Sequence, residues 1–151
     1  MIKIIKKLTS LYWRYFRSPE AYARHIGVVI GENCVINTRN WSSEPYLIQI
    51  GDNVAITNNV YIHTHGGARV ARFLYPDFDV FGKVIIQDGA YIGSGSQIMP
   101  GVTIGKGALI AAGSVVTKSF TTPNITIGGV PAKVINDTIR QAYIFFKRGK
   151  A

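Results

Sequence analysis

Among 151 residues the chain has 3 histidines and 1 cysteine, so few side chains can exchange a proton near neutral pH. Two of those histidines, His63 and His65, stand together in "YIHTHGG". A neutral imidazole has the pKa of a general base, and a hydroxyl group, a poor nucleophile unaided at neutral pH, needs one. Directly behind them runs "GGARVARFLYPDFDVFGK", residues 66–83, which carries Phe73, Tyr75, Phe78 and Phe81. Loops of that length in a compact domain are functional or disordered, and disordered segments lack aromatics, so this one is expected to be ordered and functional. The third histidine, His25, sits beside Arg24 and reads as a surface or packing residue. Cys34 cannot close an intrachain disulfide, so nothing calls for an oxidising compartment and the cytoplasm is the default location.

The elements that must position these residues follow a period of six. Ile86, Ile92, Ile98, Ile104, Ile110 and Val116 fall six apart, and four positions after the first five come Ala90, Ser96, Val102, Ala108 and Ser114. An aliphatic anchor followed by a small residue suits a short strand ending at a cramped corner. Gly89, Gly95, Gly101, Gly107 and Gly113 lie three after each anchor, where a tight turn calls for positive φ. The pattern recurs upstream at Ile30 and Ile36, and at Ile50, Ile56 and Ile62. Cys34 then falls at an inward, small-residue position. Ile36 to Ile50 spans two residues more than two repeats, so "NTRNWSSEPYLIQ" must bulge at a corner, and residues 66–83 leave the repeat as an excursion loop.

Composition bounds the rest. At 47% hydrophobic and 17% charged residues the chain is a single folded domain, neither a polyelectrolyte nor a membrane-spanning sequence. A net charge of +9 points to an anionic partner: a phosphorylated cofactor, a nucleotide, nucleic acid or an acidic membrane surface. Much of the excess lies in "MIKIIKKLTSLYWRYFR" and "FFKRGK", at the two ends. The first string opens a segment, residues 1–24, that has the three-to-four apolar spacing of a basic amphipathic helix, read as a cap on the domain in preference to a membrane-surface helix. A second helix is expected over 136–151, with Asn136 or Asp137 as its N-cap. Neither end contains a nucleic-acid-binding module, so nucleic acid is not the expected partner.

Over residues 26–135 the run "IGSGSQIMPGVTIGKGALIAAGSVVTK", followed by "IGGVPAKVI", resembles the hexapeptide-repeat acyltransferases. That resemblance implies an all-β, left-handed parallel β-helix with three repeats to each coil, assembled as a homotrimer with sites between subunits. "SEPYLI", "IGDNVAI" and "THGG" are most similar to the sugar and polysaccharide O-acetyltransferases. The activity implied is transfer of an acetyl group from acetyl-CoA to a sugar hydroxyl, directly in a ternary complex, with His65 as general base in preference to His63. Where the family pattern has an acid after this histidine, the chain has Gly66, leaving orientation of the ring to a backbone carbonyl or another carboxylate. Asn37, Glu44 and His63 match or adjoin acceptor-side positions, Glu44 with a one-residue offset. Tyr91, Ser94 and Ala112 match positions along the thioester and pantetheine arm; Thr117, Lys118 and Lys133 match the phosphate-binding end. The family's further basic residue is replaced by Asn136.

Three alternatives stand beside this reading. An antibiotic-modifying O-acetyltransferase would share the fold, and a non-catalytic β-helix scaffold would share the anchors without needing His65 or Lys118. A zinc lyase built on the same helix needs three histidine ligands, and His63 and His65 do not have that spacing, so no metal is expected. The basic N-terminal helix leaves room for peripheral contact with the inner face of a membrane.

Overall fold

Strands of two or three residues cannot stand alone, and a six-residue period of β-branched side chains is satisfied by stacking such strands in coils. The computed structural model describes residue 9, residues 11–78 and residues 80–136. Three sheets form the sides of a left-handed parallel β-helix. The first contains β1 (Val29–Ile30), β4 (Ile48–Ile50), β7 (Val84–Ile86) and β10 (Thr103–Ile104). The second contains β2 (Val35–Ile36), β5 (Ala55–Ile56), β8 (Tyr91–Ile92) and β11 (Leu109–Ile110), with β13 (Thr126–Gly129) and β14 (Ala132–Asn136) beyond them. The third contains β3 (Asn40–Trp41), β6 (Tyr61–Ile62), β9 (Gln97–Ile98) and β12 (Val115–Val116).

Register places anchor on anchor: Ile56 pairs with Ile92, Ile92 with Ile110, and Ile110 with Ile127. Ile86, Ile92, Ile98, Ile104 and Ile110 are fully buried, and so are Ser96 and Ser114 at the corners. Each isoleucine buried in this way is worth about 1.5–3 kcal/mol. The corner glycines have positive φ as expected, and Asn33, Asn53 and Asn59 take over that conformation in the earlier coils. Gly93 serves a different need, because a Cβ there would lie 2.6 Å from the Ala112 amide nitrogen of the next coil.

Both ends depart from expectation. The basic helix expected over 1–24 is broken: residues 11–16 are helical, and a separate helix α1 (Pro19–Ile26) begins after Ser18. Ser18 caps α1 by accepting from the Ala21 amide, and Pro19, lacking an N–H, starts it. At the other end the β-helix gives way to an antiparallel hairpin of β13 and β14, so Asn136 closes a strand; the C-terminal helix expected beyond it lies outside the described residues. Among the described residues no helix is long and apolar enough to cross a membrane.

The two register breaks leave the same corner of the prism in adjacent coils. Between β3 and β4 the surplus residues form a 3-10 turn, Pro45–Leu47. Between β6 and β7 the chain makes its excursion, with a short helix α2 (Ala68–Ala71) inside it. β3 pairs with β6, and β4 with β7, so bulge and excursion emerge one above the other.

Gly93→Ala is therefore expected to destabilise the fold more than Gly95→Ala, whose Cβ meets open space and whose cost is conformational, about 1–2 kcal/mol. Gly95→Asn, copying Asn59 of the coil above, should cost less than Gly95→Ala. Thermal denaturation of the three variants would check the order.

Candidate active site

Because the bulge and the excursion share a corner, residues 21 apart in sequence meet there. Glu44, just ahead of the 3-10 turn, has its Oε2 2.7 Å from His65 Nδ1 and accepts a hydrogen bond from Thr64 Oγ1 at 2.9 Å. A carboxylate can only accept, so the ring proton belongs on Nδ1 and Nε2 keeps its lone pair. The imidazole is 42% exposed and the Glu44 side chain 16%, so the base faces outward with the acid behind it. Burial works to raise the Glu44 carboxyl pKa, but hydrogen bonds from His65 and Thr64 and attraction to the ring outweigh it, leaving the pKa below the ordinary carboxylate value. Another carboxylate thus takes the orienting task left open by Gly66.

The neck of the excursion holds the ring from the other side. His65 and Phe81 form an antiparallel bridge, the Gly66 amide donates to the Val80 carbonyl, and the Gly82 amide donates to the Thr64 carbonyl. The Phe81 ring lies 5.6 Å from the imidazole. Gly82 must be a glycine for steric reasons, since a Cβ there would come within 2.2 Å of the Gly101 amide nitrogen.

The other expected residues divide between corners. Thr117 and Lys118 follow β12 at the His65 corner, two strand spacings along the helix or about 10 Å away. Both are exposed, and the Lys118 ammonium lies 5.5 Å from the Phe120 ring centre. Asn37, Ser94 and Ala112 occupy the corner at the far edge of the third sheet, following β2, β8 and β11. There Ser94 Oγ donates to Thr57 Oγ1, and the Ser94 carbonyl accepts from the Gly113 amide in the next coil. Tyr91 points outward from β8, and Lys133 is exposed on β14 opposite Gly128. A single chain therefore joins Glu44, Thr64 and His65 but does not bring Ser94 or Ala112 to them. His63 does not join the base either: it is half-buried against Tyr61, with ring centres 6.3 Å apart. Thr64 was not anticipated from sequence, although a hydroxyl between two histidines beside a register break is a readable signal.

The family description bacterial transferase hexapeptide (six repeats) matches residues 83–118, and the hexapeptide repeat of succinyl-transferase matches residues 20–38 and 48–63. Protein CapG of Staphylococcus aureus is 46% identical over 116 residues, 74% of this chain and 67% of that protein. Galactoside O-acetyltransferase of Escherichia coli K12 is 34% identical over 131 residues, 85% of this chain and 64% of the enzyme. The chain thus spans about two thirds of the length of these relatives. A solved galactoside acetyltransferase in complex with coenzyme A superposes with a TM-score of 0.65 at 25% identity, covering 91% of this chain and 82% of that one.

The lowered Glu44 pKa carries a sign. The carboxylate's contribution to stability is complete above the ordinary glutamate pKa and is lost as pH falls through the lowered value. Thr64→Val removes one of the two donors and should move the Glu44 titration back up, as read by carboxyl carbon NMR.

Proposed function

The chain belongs to the bacterial hexapeptide-repeat transferases, and we propose that it is an acetyl-CoA-dependent O-acetyltransferase acting on a hydroxyl of a sugar or polysaccharide precursor. The observation that carries this reading is the Glu44–His65 pair at the neck of the excursion. His65 Nε2 takes the proton of the acceptor hydroxyl as its oxygen attacks the thioester carbonyl. The C–S bond breaks, the acetyl group passes directly to the acceptor, and the thiolate leaves with the proton returned through the imidazole. Glu44 holds the productive tautomer and stabilises the imidazolium formed in transfer. A similar galactoside acetyltransferase binds coenzyme A, which supports acetyl-CoA as donor. In this reading Lys118 and Lys133 meet the donor's phosphates, Thr117 and Tyr91 flank it, and Ala112 leaves the pantetheine arm room.

The separation of corners supports a homotrimer. The His65 corner of one subunit faces the Ser94 and Ala112 corner of its neighbour, and each cleft between subunits holds a complete site. Asn37 lies at the second corner, where it contacts the acceptor and thioester from the neighbouring side. The excursion, with Phe73, Tyr75 and Phe78 exposed, offers ring faces to sugars.

The test is release of free thiol from acetyl-CoA by the purified chain across a panel of sugars, nucleotide sugars and oligosaccharides. His65→Ala should lower acceptor-dependent release by about 100-fold or more, the scale of general-base catalysis, and Glu44→Gln by a smaller factor. Lys118→Ala should raise KM for acetyl-CoA with kcat little changed. Undiminished release by His65→Ala would sink the assignment of the base.

A further inference from the structure

Three polar side-chain atoms near the start of the β-helix are buried without a hydrogen-bond partner: Arg39 Nη1, Trp41 Nε1 and His63 Nε2. All three residues line one cavity of about 200 Å³ beneath the N-terminal helical segments, with Arg14 and Tyr22 also on its wall. Proteins pair nearly all such atoms, so three orphans around one cavity indicate that something else pairs them. Arg39 and Trp41 can only donate, and His63 donates from Nε2 in one of its tautomers. Among the described residues no carboxylate lines the cavity, so Arg14 and Arg39 bring positive charge to it without a counter-ion among those lining residues. Arg39 is also held in place: its Nη2 donates to the Arg17 carbonyl at 2.5 Å, and its guanidinium lies 5.9 Å from the Tyr22 ring centre.

Such a wall selects a ligand that has several acceptor oxygens and negative charge. A carboxylate or a phosphate meets both needs, and arginine with neighbouring N–H donors is the usual way to hold either. β6 and the residue after it, Tyr61, Ile62 and His63, form part of the cavity wall, and the base His65 lies two residues further along the chain.

We propose that this cavity binds a carboxylate or phosphate carried by the acceptor, so that the acceptor is an acidic saccharide. The word acceptor rests on the O-acetyltransferase reading, whereas the oxyanion site does not. His63 is then an anion-binding residue of the acceptor site, distinct in task from His65. Arg39 precedes β3 and Trp41 ends it, in register with Ile62 of the next coil.

Calorimetry with the full chain and no acetyl-CoA reads the cavity without catalysis, using glucuronic acid, glucose 6-phosphate, glucose and inorganic phosphate as probes. Both acidic sugars should bind at least about tenfold more tightly than glucose or inorganic phosphate. They should also shift the Trp41 indole N–H resonance in a proton–nitrogen spectrum. Arg39→Gln and Trp41→Phe should each weaken the acidic sugars by about fivefold or more; Trp41→Phe keeps an aromatic side chain while removing the indole donor, and the unchanged affinity for glucose in that variant separates the lost donor from lost packing. Inorganic phosphate binding as tightly as the sugars would overturn the assignment to the acceptor. Equal binding of glucose, or an unmoved Trp41 resonance, would overturn the oxyanion site. A chain that binds acidic sugars as described yet releases no thiol leaves the cavity assignment standing and removes the transfer reading instead.

Discussion

The column of β-branched side chains along the prism axis is the constraint from which the rest follows. Most strands have two or three residues, and their backbone groups find partners only in the coils above and below. Nothing but continuous stacking makes such pieces stable together. The ends of the stack must then be closed. At the start, Arg24 of α1 donates from Nη1 to the Ile30 carbonyl and from Nη2 to the Gly31 carbonyl, covering first-coil groups that have no coil above. At the finish, β14 turns back antiparallel on β13 and covers one sheet edge.

A stack of this kind fixes inward positions tightly and leaves the corners free, so chemistry collects at the corners. Both register breaks fall at one of them, and their vertical alignment makes a hydrogen-bonded carboxylate–imidazole pair from two segments that are each irregular alone. Glu44 comes from the first break, Thr64 and His65 from the neck of the second. The carboxylate is shielded by its two donors, and the imidazole stands between it and solvent. Low exposure behind and higher exposure in front give the ring a direction.

Legibility in the sequence tracks periodicity. Ile86 through Val116 could be read because each anchor repeats a neighbour's environment, and Gly95 because a tight corner imposes one backbone conformation on every coil. The excursion's bounds were readable as a loss of that period. Glu44 was reachable only by resemblance and with an offset, because a bulge has no period from which to count its side chains. Arg39, Trp41 and Thr64 lie outside the bulge, but none repeats a residue type from the neighbouring coils, so period does not mark them. Ser18-Pro19-Glu20 is a helix-start signal, but the three-to-four apolar spacing of the preceding residues runs up to it and hides the break. The hairpin of β13 and β14 was hidden because "VPAK" read as a ligand-contact motif rather than as the turn between strands.

The closed neck of the excursion has a consequence for how such a chain can change. Ile50 pairs with Ile86, and Ile62 with Ile98, so coils on both sides keep their alignment although eighteen residues intervene between β6 and β7 beyond the usual spacing. Departure and return are fastened together where the Gly82 amide meets the Thr64 carbonyl. The segment between them is therefore a cassette: the closure entropy of a longer or shorter one varies only slowly with length, and no downstream coil senses the exchange. A lineage can rewrite what approaches the imidazole in that one stretch and inherit the scaffold around it unaltered.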